Sequence, residues 1–297
     1  MWRKFFVLFY LIGFLGFAGL AALSADDTAG QEPESGTTMY TVFVNIVPEQ
    51  FRFPLIGFVN LAWGSHTGPH IGFVNWNQKN MSGLQIGFVN TNGGDFKGVQ
   101  TGFVNTNGGD FKGVQIGFVN TSVQSFSGLQ LGFINYIEEL DGGVPLGFIS
   151  YVKNGGYKAV EYSVSEISPI NVALKLGVEK LYTSISIGYN PLEDDILSAM
   201  STGVGLGSII RFNESFFFNP ELIGVNSNYG KNTSFHLSLT PYVGYKLLPR
   251  LTVVAGPSVS WKYEKEFDAP FFHIVEKKIN ERNRIYLGAR VGIRYEW

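Results

Sequence analysis

The sequence contains no cysteine. That excludes disulfides, thiolate metal sites, a cysteine nucleophile and lipid attachment through an N-terminal cysteine. Charge is also scarce: 15% of residues are charged and the formal net charge is -2. No basic stripe with interleaved aromatics is present, so nucleic acid is not an expected partner. No nucleophile–base pair, phosphate-binding loop or dinucleotide fingerprint appears. The chain is therefore expected to be non-catalytic and to need no cofactor or metal. What is abundant is glycine (37), phenylalanine (26) and tyrosine (14) in 297 residues, a composition that favours strands and tight turns over helices.

The first residues resemble an export signal. Arg3 and Lys4 precede an uncharged run from Phe5 to Leu23, and Ala22-Leu23-Ser24 fits a small-x-small processing site. Cleavage after Ser24 or Ala25 is expected, giving a signal peptide over residues 1–25; an uncleaved membrane anchor is the alternative. Residues 26–40 are polar and acidic and read as a disordered linker.

Residues 41–156 carry a tandem repeat. Gly-Phe-Val-Asn begins at Gly57, Gly72, Gly87, Gly102 and Gly117, and variants follow at Gly132 and Gly147, each 15 residues after the last. Val42-Phe43-Val44-Asn45 is a degraded first copy. Each unit contains a strand and a turn. Gly98 to Asn105 reads as one alternating strand with Val99, Thr101, Phe103 and Asn105 on one face and Gln100, Gly102 and Val104 on the other. Asn107-Gly108-Gly109-Asp110 is turn chemistry. Two architectures fit: a β-solenoid with one coil per unit, and a β-meander with one strand per unit. The absence of any insertion or deletion favours the solenoid, whose coils must close to one circumference, whereas meander loops tolerate length changes. A solenoid stacks Phe88, Phe103 and Phe118 in a row expected to be buried, and Asn90, Asn105 and Asn120 in a hydrogen-bonded ladder.

Residues 157–297 alternate strictly. The last strand is the clearest, with Ile285, Leu287, Ala289, Val291, Ile293, Tyr295 and Trp297 opposite Arg290, Arg294 and Glu296. Other runs centre on Val172–Val178, Ser184–Tyr189, Gly203–Phe212, Ser234–Lys246 and Leu251–Lys262, and the weaker runs 158–167 and 215–225 bring the count to eight. An antiparallel, eight-stranded barrel of the outer-membrane type is expected, with a soluble all-β domain as the alternative. Apolar residues outward, small and polar ones inward, and aromatics near strand ends (Trp261, Tyr263, Tyr286, Tyr295, Trp297) fit a membrane barrel. Connections near 180–182, 213–214 and 248–249 are short. Those at 190–201, 226–233 and 264–283 are long, which is the asymmetry of periplasmic turns against outer loops. The short outer loop at Ser168-Pro169 is the exception.

The in-register Gly-Phe-Val-Asn units, preceded by Gly-Leu-Gln or Gly-Val-Gln, resemble the leptospiral-type surface-repeat family of bacterial envelope proteins over residues 42–150. That resemblance implies an envelope or surface location and no reaction, cofactor or catalytic residue. The terminal Trp297 after an alternating strand looks like the signal read by outer-membrane assembly machinery, so that machinery and outer-membrane lipid are expected partners. A protein or glycan partner for the repeat is a further expectation, met by a regular Gly/Asn-rich surface. A pore or transport protein whose wall includes repeat units is the other functional reading; an envelope enzyme of the small-barrel type would need a Ser, a His and an acidic group converging at the outer rim.

Five smaller features are read conservatively. His66 and His70 are four apart, but Gly68 and Pro69 between them exclude a helix, and they are expected as loop histidines. Asn-Gly-Gly-Asp at 92–95 and 107–110 is read as turns rather than as calcium sites. Asp194 and Asp195, and Glu276-Lys277-Lys278 with Glu281-Arg282, are read as solvated loops, the last with a possible outer-face sugar contact. His236 and His273 have no partner apparent in sequence.

Overall fold

In a computed structural model the described residues are 38–49, 51–193, 195–196, 198–227, 234–263 and 273–297. The proposed signal peptide, nearly all of the linker, and Asp194 lie outside them. The chain is all-β, a solenoid with a 15-residue period followed by a closed eight-stranded antiparallel barrel.

The solenoid follows from parallel, in-register pairing of each unit with the next. Val104 pairs with Val89 and Val119, and Phe111 with Phe96. Each coil has two strands, such as Phe96–Thr101 and Val104–Asn107. One corner falls at Gly102-Phe103 and the other at Gly108-Gly109-Asp110. The meander is thereby excluded, because its neighbouring strands would run antiparallel. Glycine at the first corner is required by the stacking itself. A Cβ on Gly102 would lie 2.3 Å from Gly87 O and 2.6 Å from Asn90 Nδ2 of the preceding coil. Gly98 is held at φ +144, where a side chain would be strained, and its Cβ would meet Gly83 O at 1.8 Å.

The interior of the coil differs from expectation. Phe88, Phe103 and Phe118 do stack, with centroids 5.0 Å apart and rings within 1° of parallel. Their row is on the outside, however: each is 44–46% exposed. The reason is the corner. Gln100 and Asn105 both point inward although they are five positions apart, an odd offset, so the run from Gly98 to Asn105 is not one alternating strand. The buried aromatic row is Phe96, Phe111 and Phe126, extended by Met81. The asparagines of the Gly-Phe-Val-Asn units are buried too, so they are not displayed on the surface of the repeat.

We number the barrel strands β1 (Tyr157–Val164), β2 (Ile170–Val178), β3 (Leu181–Tyr189), β4 (Met200–Gly207), β5 (Phe216–Ser227), β6 (Ser234–Leu248), β7 (Leu251–Tyr263) and β8 (Asn283–Glu296). Each pairs antiparallel with its neighbour, and β1 pairs with β8 to close the barrel. Among the described residues no repeat strand enters the wall. Two runs differ from their reading. The strand expected over 203–212 ends at Gly207, with Ile210–Arg211 forming a separate short pairing to β5. Val275–Lys278, expected as solvated loop, pairs with β8 and joins Glu276 to Arg284 by an ion pair.

Strand alternation puts large apolar side chains outside. Leu206, Leu222, Leu239, Val243, Val259 and Val291 are all exposed at 42–54%. Exposed or half-buried aromatics lie at both rims. Tyr189, Phe235, Trp261 and Tyr263 stand at the long-loop end, and Phe216, Tyr245, Tyr295 and Trp297 at the short-turn end. Tyr286 is not among them; it is buried and faces the lumen.

Candidate functional site

Two places concentrate polar chemistry, the barrel lumen and the solenoid interior. In the lumen, Glu161 of β1 accepts from Arg294 of β8 at 2.6 and 3.0 Å, and lies 3.3 Å from Lys175 of β2. Arg294 also donates to Tyr157 OH at 3.0 Å and to Asn219 Oδ1 at 2.9 Å. Glu221 of β5 pairs with Lys175 and accepts from Tyr182 OH at 2.7 Å. Arg290 donates to Tyr242 OH at 3.2 Å. Glu161, Lys175, Tyr182, Glu221, Tyr242 and Arg294 are at most 1% exposed, and Arg290 5%. Their groups come from six of the eight strands and cross the lumen. Buried charges persist only when paired in this way. Below them, toward the short turns, Ile209, Phe217 and Val254 pack with Tyr157 and Tyr182.

The other half of the lumen is closed by the β1–β2 loop, which folds inward. Ile167 packs on Ile223 and Val225, and Glu166 Oε1 accepts from Ser260 Oγ at 2.6 Å. This explains why the connection at Ser168-Pro169 is short on a side where the others are long: it is an internal plug. Small residues make room for it. A Cβ on Gly288 would lie 2.7 Å from the Glu166 carboxyl carbon.

His236, which had no partner apparent in sequence, lies 3.2 Å from both Ser227 Oγ and Ser234 Oγ. Antiparallel pairing of β5 with β6 brings these together. Glu166 is hydrogen-bonded to Ser260, which is bonded to Ser238 at 2.9 Å. His273 lies 3.7 Å from Glu276.

The solenoid interior is a set of amide ladders. Asn45, Asn60, Asn75, Asn90, Asn105 and Asn120 each donate from Nδ2 to the Oδ1 of the asparagine 15 residues on, at 2.7–2.9 Å. From Asn60 to Asn120 the second N–H of each amide goes to a backbone carbonyl, as Asn105 to Ile116 O at 2.9 Å. The ladder is closed at both ends, by Thr41 N on Asn45 Oδ1 and by Ser150 Oγ under Asn135. Gln85, Gln100, Gln115 and Gln130 form a second ladder with the opposite donor direction. An interior so polar is stable only because its amides find partners.

His66 and His70 are not loop residues. They lie in the strand His66–Ile71, buried, with His70 Nε2 3.0 Å from His66 Nδ1 and His66 Nε2 3.0 Å from Phe53 O. His70 occupies the glutamine row, pairing in register with Gln85. Burial lowers the pKa of both, and His66 beside it helps bring His70 to about 3. At the polar corner, Asp95 Oδ1 accepts Asp110 N at 3.0 Å and Asp110 Oδ1 accepts Ser125 N at 3.2 Å. Asp195 accepts from Ser198 within its loop. Among the described residues no group of three or more His, Asp or Glu side chains is placed to hold a metal ion.

No family model matches the sequence. No curated protein matches it. Among solved structures, Neisserial surface protein A is similar at 12% identity over 48% of this chain and 97% of its own, with a TM-score of 0.28.

Proposed function

We propose that the chain is a non-catalytic outer-membrane protein whose barrel anchors the solenoid at the membrane. One observation carries this reading. The wall of the barrel is inverted relative to a soluble protein, with leucine and valine outside and Glu161, Lys175, Glu221, Arg290 and Arg294 inside. In water that arrangement exposes an apolar band around the whole barrel, far beyond the patches soluble monomers carry. In a bilayer it is the expected one, and the aromatic rims are the expected girdles.

The short turns, at Glu179-Lys180, 208–215 and Pro249-Arg250, support reading that end as periplasmic, by the usual asymmetry. The solenoid enters β1 at the same end, so we place it on the periplasmic side. Outer-membrane lipid is the first partner; assembly machinery reading the strand that ends in Trp297 is a second. A pore is the weaker reading, because eight strands leave room only for side chains and here the charged network and the Glu166–Ile167 plug fill it. Catalysis is weaker still: His236 is held by Ser227 and Ser234, and Glu166 by Ser260, so the imidazole and the carboxyl are tied to separate hydroxyls inside the wall.

The test is membrane extraction of the full chain. It should stay in the pellet after carbonate washing and migrate differently on gels with and without boiling. Recovery as a soluble monomer without detergent contradicts the reading.

A further inference from the structure

Every charged residue between Asn45 and Lys153 falls 6–10 residues after the first position of its unit (Gly, or Val42 in the first). That stretch is the polar corner, where Asp95, Lys97, Asp110 and Lys112 stand. The opposite corner carries only apolar and small residues. Its tip is the phenylalanine ladder from Phe58 to Phe148, with successive centroids 5.0 Å apart. Ile71, Ile86 and Ile116 flank it at 37–41% exposure. The phenylalanines alone present on the order of 500 Å² of apolar surface, in the range of the largest patch on a typical monomer before the isoleucines are added. On this edge the asparagine ladder is inside and its neighbouring phenylalanine ladder outside, so the solenoid shares the inversion of the barrel wall here, while the row Phe96–Phe111–Phe126 stays buried.

The joint between the two parts fixes where that edge points. Leu176, Val178 and Thr183 occupy outward positions near the β2–β3 turn, yet are only 4–7% exposed. The last coil covers them. Val178 packs with Val152 and Ile137 in the solenoid core, and Thr183 Oγ1 donates to Gly147 O at 2.6 Å. The solenoid thus abuts the outer wall, the face that looks sideways into the membrane, and its axis leads away from the wall. Gly147 belongs to the phenylalanine corner. Its partner Thr183 lies further up the wall from the turn than Val178, which meets the coil interior. The phenylalanine edge is therefore the one turned toward the bilayer, and the Asp/Lys edge is turned away.

We propose that the solenoid lies along the periplasmic surface of the membrane beside the barrel, with the phenylalanine ladder seated in the lipid interface. This rests on the barrel spanning the membrane. The occupant is lipid because the ladder continues a surface already in contact with lipid, and because no charge interrupts it. Such an edge acts as an interfacial anchor, the β counterpart of an amphipathic helix lying in the membrane plane.

The chain has no cysteine, so single-cysteine variants take one spin label each. Phe103→Cys and Ile116→Cys probe the ladder, Lys112→Cys the polar corner and Val204→Cys the barrel belt. All four positions lie outside the packed interiors, so the fold is retained. The full chain is reconstituted in phosphatidylethanolamine/phosphatidylglycerol vesicles, and collision of each label with oxygen and with a water-soluble nickel chelate is measured. Labels at 103, 116 and 204 should favour oxygen, and the label at 112 nickel. A lipid-like signal at 204 with water-like signals at 103 and 116 overturns the inference and leaves the barrel reading intact. A water-like signal at 204 overturns the barrel reading itself. Labels at 103 and 116 shielded from both reagents, with spin–spin broadening, would assign the ladder to a second copy of the chain instead.

Discussion

At the scale of residues, position within the coil decides what a side chain is worth. Phe111 is 1% exposed and Phe103 46%. Phe111→Ala should cost about 3–5 kcal/mol, the range for deleting a buried ring. Phe103→Ala loses two stacking contacts and about half a ring's burial, about 2 kcal/mol in detergent. Urea titrations of the two variants check the order, which is the reverse of what a buried Gly-Phe-Val-Asn row requires. Asn105→Ala removes one rung and leaves Asn90 Nδ2 and Asn120 Oδ1 buried without that partner, a loss of about 2–4 kcal/mol. The histidines supply a pH dependence. Both are held neutral, with pKa values below the ordinary 6.5. The unfolded chain takes up protons first, so the first coils lose stability as pH falls below about 6.5, and go on losing it down to about 3 for His70. His70→Gln puts the residue of its own row back beside Gln85 and should remove most of that dependence. Hydrogen exchange of residues 55–71 between pH 7 and pH 4 reads the difference.

At the scale of elements, the solenoid predicts tolerance to whole-unit deletion. Removing residues 92–106 joins equivalent points of adjacent coils, and removing 92–121 does the same for two units. Both products should assemble equally, as heat-modifiable species on gels; failure of the one-unit deletion alone would contradict parallel stacking. The same elements show what sequence could and could not convey. Alternation located the eight barrel strands, because a wall with two unlike faces imposes period two on each of them. A fixed period located the solenoid and the Asn90–Asn105–Asn120 ladder. The face of Phe103 was misread because the corner at Gly102-Phe103 inserts a residue into the alternation, and periodicity carries no mark of a corner. The β1–β2 plug and the Glu161–Lys175–Glu221–Arg294 network were illegible for a different reason. Glu161 and Arg294 are 133 residues apart, and only closure of the barrel brings them together.

At the scale of the whole molecule, the filled lumen predicts that planar bilayers containing the chain show no conductance steps. Steady unit conductance would revive the pore reading. The central claim is that the outer wall of residues 157–297 meets hydrocarbon, and an arginine placed on that wall tests it most directly. Val291 is 53% exposed in mid-strand on β8, between Ala289 and Ile293 on the same outward row. Folding free energy in lipid vesicles is measured for the parent chain and for Val291→Arg. At the bilayer midplane the substitution costs about 2–4 kcal/mol, declining as the arginine is moved along the same row toward Tyr295. On a water-facing wall an exposed valine can become arginine within about 0.5 kcal/mol. A cost that is large at Val291 and falls toward the rim is the predicted result; a flat profile near zero would contradict the membrane barrel.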